Sequence, residues 1–170
     1  MKMELLQPFI NAADAVLAEN LGGATRIEEV SMEPEVYQRK GIAAEVALAG
    51  DIAGRVIFDM APDTAVKITG AMGRVLLPAS DDFVRETICE LASQVIGNAV
   101  TSLNDQGFRF KVFPPHLHSS EEGLHGSCDT ETLVVCFDTP SGLVYLNIAM
   151  RHSTVTRFPL PVSQLQASSG

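Results

Sequence analysis

Residues 86–98 read E-T-I-C-E-L-A-S-Q-V-I-G-N, from Glu86 to Asn98. At about 100° per residue, Val84, Ile88, Leu91, Ala92, Val95 and Ala99 fall on one arc, which is the spacing of a helix stripe that faces a core. Centred on the opposite side stand Glu86, Glu90, Ser93, Gln94 and Gly97. Two carboxylates one turn apart repel, and a glycine in the middle of a helix costs about 1 kcal/mol relative to alanine. Helix stability alone does not select that exposed set, so this side of the helix reads as a contact surface.

Working outward, Asp81 and Asp82 suit the positive end of this helix, which is predicted to run to about Leu103 as the longest element of the chain. Upstream, Pro8 followed by F-I-N-A-A-D-A-V-L-A-E-N predicts an N-terminal helix with Phe9, Ala13, Val16 and Leu17 inward and Gly22-Gly23 at its end. Little exposed chemistry is expected on that helix. Segments near Thr25–Met32, Ile42–Leu48 and Ile52–Met60 read as strands, the last two as a hairpin across Gly50-Asp51. Ala61-Pro62-Asp63 opens a further helix through about Val75, with Ala65, Ile68 and Met72 inward, and Pro78 and Ser80 close the connection to the long helix. Downstream, F-R-F-K-V-F alternates like a strand up to Pro114-Pro115. Leu133–Asp138 and Leu143–Met150 form a second hairpin across T-P-S-G. Helices between hairpins predict an α+β fold: an antiparallel sheet against which the helices bury their stripes. One domain over residues 1–158 is expected, with residues 159–170 as a loose tail.

The formal net charge of −9, without any cluster of Lys and Arg, argues against nucleic acid and against an anionic membrane surface as partners. No apolar run reaches the roughly 18 to 20 residues that cross a bilayer. The N-terminus turns acidic at Glu4 and contains Pro8, unlike a signal peptide, so a cytoplasmic protein is expected. Cys89, Cys128 and Cys136 form no C-x-x-C pair and leave an odd thiol, which predicts reduced, mostly buried cysteines.

The opening M-E-L-L-Q-P-F-I-N-A, the segment M-A-P-D-T-A-V-K-I-T-G-A-M, the helix E-L-A-S-Q-V-I-G-N-A and the strand ending in F-P-P together resemble the CheC/CheX/FliY group of bacterial chemotaxis phosphatases, over nearly the whole chain. In that group the motif helix carries Glu, two arbitrary residues and Asn, followed by a Gly-Asn pair. Here Glu90 stands at the acid position and Gly97-Asn98 at the pair, whereas Ser93 occupies the place of the motif asparagine. No second copy of the motif occurs in the N-terminal helix, which matches the CheX type with one site. Asn98 is expected to serve structure rather than chemistry.

The resemblance implies a substrate, the phosphorylated receiver domain of a CheY-type response regulator, and a homodimer paired through its sheets. It also implies no cofactor of the chain's own, since the Mg²⁺ at the aspartyl phosphate belongs to the receiver. Such an enzyme has only to hold a water in line with phosphorus. The acid pairs with a receiver lysine and fixes docking, and the amide one turn on orients the water. Carried over, Glu90 is the anchor and Ser93 the water-positioning residue, with Glu86, Gln94 and Gly97 contacting the partner. A serine hydroxyl ends about one bond short of an asparagine amide, and misplacement on the ångström scale can cost about 100-fold in rate. Gln94, about 40° round the helix from Glu90, offers a substitute amide. The alternative is a receiver-binding module of the same fold that hydrolyses nothing.

His116, His118, His125 and Cys128, with Glu121 and Glu122, are donors of the kind zinc uses. Their segment reads as a loop and their spacing fits no finger pattern, so no metal is expected. No phosphate-binding glycine loop, G-x-S-x-G elbow or H-E-x-x-H motif is present.

Overall fold

The computed structural model describes residues 3–33, 36–37, 40–73, 80–118, 124–125 and 132–153. In chain order the elements are α1 (Met3–Leu21), β1 (Arg26–Glu33), β2 (Val36–Tyr37), β3 (Ile42–Gly50), β4 (Ile52–Met60), α2 (Pro62–Gly73), α3 (Asp81–Asp105), β5 (Phe110–Val112), β6 (His116–His118), β7 (Leu124–His125), β8 (Thr132–Thr139) and β9 (Gly142–His152). The expected α+β architecture is present. The expected tail at 159–170, together with Pro78 and Cys128, lies outside the described residues.

Helix α1 begins at Met3, five residues before the expected start, and carries Pro8 inside it. The proline forfeits a hydrogen bond to the Glu4 carbonyl, at a cost of about 3 kcal/mol. Leu5, Leu6, Phe9 and Ile10 are all buried, and at about 1.5–3 kcal/mol for each large apolar side chain their burial outweighs the break. Helix α3 starts where the aspartates predicted. Ser80 is its cap, with Oγ accepting from the Phe83 N–H at 3.2 Å.

All strand pairs among the described residues are antiparallel. The main sheet runs β1-β8-β9-β4-β3-β5, and β6 also pairs with β3. The two predicted hairpins, β3–β4 and β8–β9, are its centre, joined through the β4–β9 ladder from Ile52↔His152 to Met60↔Val144. Gly54 in β4 has φ +154°, and a Cβ there would collide with the Ala149 carbonyl, so only glycine lets these two strands close. The strand expected over Phe108–Phe113 is shorter, and at its start Asp51 holds Arg109 at both backbone groups: Arg109 N–H donates to Asp51 Oδ2 at 2.9 Å, and the Arg109 carbonyl accepts from the Asp51 N–H at 2.9 Å. His116–His118, expected as loop, instead extends the sheet on β3, with His116 opposite Glu45 and Leu117 opposite Ala44.

Residues directly opposite one another in a ladder share a face. Val46, Leu48, Val56, Phe58, Met60, Val135, Phe137, Leu146 and Ile148 therefore line one side, where they form a single core with the stripes of α1, α2 and α3. The opposite side holds a small apolar cluster of Ala43, Ile57 and Val134 packed with Tyr145. It also holds the buried polar residues Arg55, Asp59 and Asn147. No described helix is long and apolar enough to cross a membrane.

Candidate functional site on the outer face of helix α3

The expected stripe of α3 is buried without exception: Val84, Ile88, Leu91, Ala92, Val95 and Ala99 all belong to the core. That fixes the rotation of the helix. Glu86, Glu90, Ser93 and Gly97 consequently face outward and are exposed, and Gln94 is half-buried at the edge toward α1. Asn98 is exposed as well, one position further round, and its side chain makes no hydrogen bond to a described residue.

Two depressions flank this face. Glu86 and Glu90 line one of about 100 Å³ at the end of α2, together with Met72, Gly73, Phe83 and Thr87. Its charged groups are two carboxylates, a combination that accepts a cation. Ser93 and Gly97 line the other, an apolar groove of about 170 Å³ whose far wall is Val46 of β3 and the Val112, Phe113 and Pro115 segment. Phe113 and Val112 are among the exposed large apolar residues of the molecule. Glu90 and Ser93, three residues apart, thus stand on the ridge between an acidic recess and an apolar one.

Gly97 is not required by the chain's own packing. A Cβ placed there would meet nothing within 4 Å, and its φ lies outside the left-handed region that favours glycine. A residue that costs about 1 kcal/mol of helix propensity and relieves no internal clash leaves space for something outside the chain.

The amide of Gln94 is engaged at both ends. Its Nε2 donates to Glu90 Oε2 at 3.3 Å, and its Oε1 accepts from Asn20 Nδ2 of α1 at 3.0 Å. Asn20 Nδ2 also donates to the Val16 carbonyl at 2.8 Å. Helix α1, expected to carry little exposed chemistry, therefore reaches the site. The signal was in the sequence: Asn20 falls one turn after Val16, a polar residue that continues an apolar stripe. Ser93 is exposed, and its hydroxyl makes no hydrogen bond to a described residue.

The donors weighed for zinc are placed only in part. His118 Nε2 lies 2.7 Å from Glu45 Oε1, and its ring stands edge-on to His116 with centroids 4.7 Å apart. No group of three His, Cys, Asp or Glu that could hold a metal occurs among the described residues. Glu121, Glu122 and Cys128 are not among these, and of His125 only the backbone position in β7 is described. Of the cysteines, Cys89 is half-buried and Cys136 buried, both as free thiols.

Residues 42–138 match the family described as chemotaxis phosphatase CheX. No curated protein matches the chain. Among solved structures, a CheC-like superfamily protein from Shewanella sp. PV-4 superposes with a TM-score of 0.79 at 18% identity, over 89% of this chain and 99% of that one. The chemotaxis protein CheX from Desulfovibrio desulfuricans gives 0.76 at 17% identity, over 87% and 99%. These two likenesses concern the fold. CheX in the CheX–CheY–BeF3–Mg²⁺ complex from Borrelia burgdorferi is 28% identical, with a TM-score of 0.66, over 89% of this chain and 100% of that one.

Proposed function

The chain belongs to the chemotaxis phosphatase CheX family, and from that premise we propose that the outer face of α3 docks against the aspartyl-phosphate pocket of a CheY-type receiver and promotes hydrolysis of the phosphate. The observation that carries this reading is the exposure of Glu90 beside Gly97, a mid-helix glycine for which the chain itself has no use. The solved complex of the Borrelia relative with CheY and BeF3–Mg²⁺ supports a partner of this class.

In the mechanism, the Glu90 carboxylate accepts from the ammonium of the receiver's lysine, a charge-assisted contact that sets the docking register. Glu86, on the same recess, raises the negative potential that the ammonium meets. Gly97 lets the partner's backbone approach the helix, and the apolar groove behind Ser93 receives the partner's rim. The Ser93 hydroxyl then lies nearest the phosphoryl group, where it holds the attacking water in line. The Mg²⁺ that neutralises charge on the phosphoryl oxygens is the receiver's. This chain needs no cofactor of its own. Because a hydroxyl reaches less far than the asparagine amide of the family motif, turnover is expected to be slow.

A second reading is a docking module that binds the phosphorylated receiver without hydrolysing it, and the residue that favours it is Ser93. The experiment is release of phosphate from a panel of phosphorylated receivers encoded by the same genome, with complex formation followed alongside. Ser93→Asn is expected to raise release by at least tenfold. If it changes nothing while Ser93→Ala abolishes release, the hydroxyl supports an intact mechanism. If the wild-type protein binds a phosphorylated receiver and prolongs its phosphate, the protein is a docking module.

We further propose a homodimer joined through the sheet. Strand β1 is an edge of the main sheet, and it exposes Ile27, Val30 and Met32 at 46%, 53% and 52%. An apolar edge strand left open in this way invites pairing with another strand. Met32→Lys is expected to shift the mass seen by light scattering from dimer to monomer.

A further inference from the structure

We infer that Asn20 of α1 and Gln94 of α3 are positioning residues that hold the Glu90 carboxylate in the pose in which it meets its partner's ammonium group. The inference rests on the reading of Glu90 as a docking anchor and assigns that anchor its support.

The chemistry of the two ends dictates the orientation of the whole chain of hydrogen bonds. The Glu90 carboxylate can only accept, so the end of Gln94 that faces it, 3.3 Å away, is the NH₂ group. The Gln94 carbonyl oxygen then points back to Asn20, which must present its own NH₂ at 3.0 Å. That NH₂ spends its other hydrogen on the Val16 carbonyl at 2.8 Å, a fixed acceptor in the backbone of α1. Reversing either amide would set oxygen against oxygen at one of these contacts. The polarity thus runs one way, from the backbone of α1 to the carboxylate, and each bond polarises the next.

Two consequences follow. Gln94 is not free to replace the missing motif asparagine: its acceptor oxygen is already turned to Asn20, and orienting a nucleophilic water calls for an acceptor. Glu90, in contrast, gains from the arrangement. An exposed glutamate samples many rotamers, and ordering it on docking lowers affinity. Here only Oε2 is tethered, so Oε1 keeps its lone pairs for an incoming cation while part of that ordering is done in advance.

The first measurement needs no receiver. The side-chain amide resonances of Gln94 and Asn20 are followed by NMR in wild-type protein and in Glu90→Ala. Both sets are expected to shift, that of Gln94 most, because the acceptor at the end of the chain is gone. An unmoved Gln94 amide overturns the inference whether or not any receiver binds.

The second measurement uses receivers of the same genome loaded with beryllium fluoride and Mg²⁺. Gln94→Ala is expected to weaken affinity about threefold to tenfold, the range of one hydrogen bond of ordinary strength. With phosphorylated receiver the loss appears in KM and not in kcat. In a Glu90→Ala background Gln94→Ala should cost nothing further, and an undiminished loss there overturns the inference. Asn20→Asp keeps the shape of the side chain but presents an acceptor to Gln94. It is expected to turn the Gln94 oxygen toward Glu90 and to weaken affinity at least as much. If no receiver binds wild-type protein, the docking reading of Glu90 fails, and the NMR result still decides the tether.

Discussion

The outer face of α3 and the far face of the sheet each collect polar residues, and they do so at opposite cost. On α3, Glu86, Glu90, Ser93 and Gly97 lie in water, where charge is solvated and the fold spends almost nothing to keep them. On the far face, Arg55 and Asn147 are buried, and neither the terminal guanidinium nitrogens of Arg55 nor either amide atom of Asn147 has a hydrogen-bond partner among the described residues. Arg55 Nε lies 4.0 Å from Glu45 Oε2, a contact too long for a hydrogen bond. Burial pushes the guanidinium pKa down, and Glu45 only partly restores it. Exposed polarity on a helix can be altered with little effect on folding, whereas buried polarity without partners is a standing charge against stability. The two faces should therefore respond to substitution in opposite observables.

The largest effect is expected from Glu90→Ala. Removing one member of a desolvated, hydrogen-bonded charge pair costs about 2–5 kcal/mol in binding, or at least thirtyfold in affinity for a phosphorylated receiver. Unfolding free energy should change by less than about 0.5 kcal/mol, as at surface positions generally. Calorimetric titration and chemical denaturation on one preparation check both numbers. A Glu90→Ala protein that binds normally, or one that is clearly destabilised, breaks the contrast from the α3 side.

Asn147→Leu tests the other side. Asn147 sits opposite Ile57 on β4 and Val134 on β8, both apolar. Replacing a buried amide that has no partner among the described residues by a hydrocarbon of similar shape is expected to raise unfolding free energy by about 1–2 kcal/mol and to leave receiver affinity unchanged. Loss of stability instead would mean that the amide is satisfied by bound water or by a ligand, and the far face would then have to be treated as a site.

These two regions were unequally legible in the sequence. The rotation of α3 could be read because a helix stripe has one period and six apolar residues agreed on it. Once that arc is buried, Glu86, Glu90, Ser93 and Gly97 have nowhere to go but outward. In β4 the alternation of Arg55 and Asp59 with Val56, Phe58 and Met60 reads as a strand with one wet face, yet both polar residues are buried. Period-2 patterning tells which side a residue takes, not whether that side is covered, because covering is decided by segments distant in the chain. His116–His118 escaped for a related reason: three residues are too few to show a period, and their pairing with β3 is specified by the partner strand. Pro8 misled in the other direction, since a local rule placed it at a helix start and the burial of Leu5 and Leu6 overrode that rule. Asn20 was visible as a flaw in the stripe of α1, but its partner is 74 residues away.

Gly97→Ala sharpens the comparison because it should move both observables, in opposite directions. A Cβ at this position meets open space, and alanine is the better helix former, so unfolding free energy should rise by about 0.5–1 kcal/mol. The same methyl group stands where the partner is to approach, and receiver affinity should fall. A variant that is stabilised and binds as well as wild type would show that the groove beside Ser93 and Gly97 is not part of the contact.

The smallest effect concerns pH. Cys136 and Tyr145 face one another across β8 and β9 on the far side of the sheet. Burial pushes the Cys136 thiol up, and the nearby acids Glu28, Glu29 and Asp138 add to the rise, against a hydrogen bond from Tyr145 that lowers it. Burial pushes the Tyr145 phenol up as well, helped by Cys136 and by the acids Glu29 and Asp59. Each group holds its proton more tightly folded than unfolded, so each contributes stability that is complete below its unfolded pKa. That contribution is lost as pH rises through the raised folded value. Denaturation midpoints should accordingly fall as pH climbs above about 9, and Cys136→Ala should make that fall shallower while leaving the midpoint's pH dependence near neutrality unaltered. An unchanged alkaline slope in Cys136→Ala would assign the fall to Tyr145 or to a thiol on the helix side of the molecule. There Cys89 of α3 is also pushed up by burial, with Arg85 opposing, and Cys89→Ala would carry the effect in that second case.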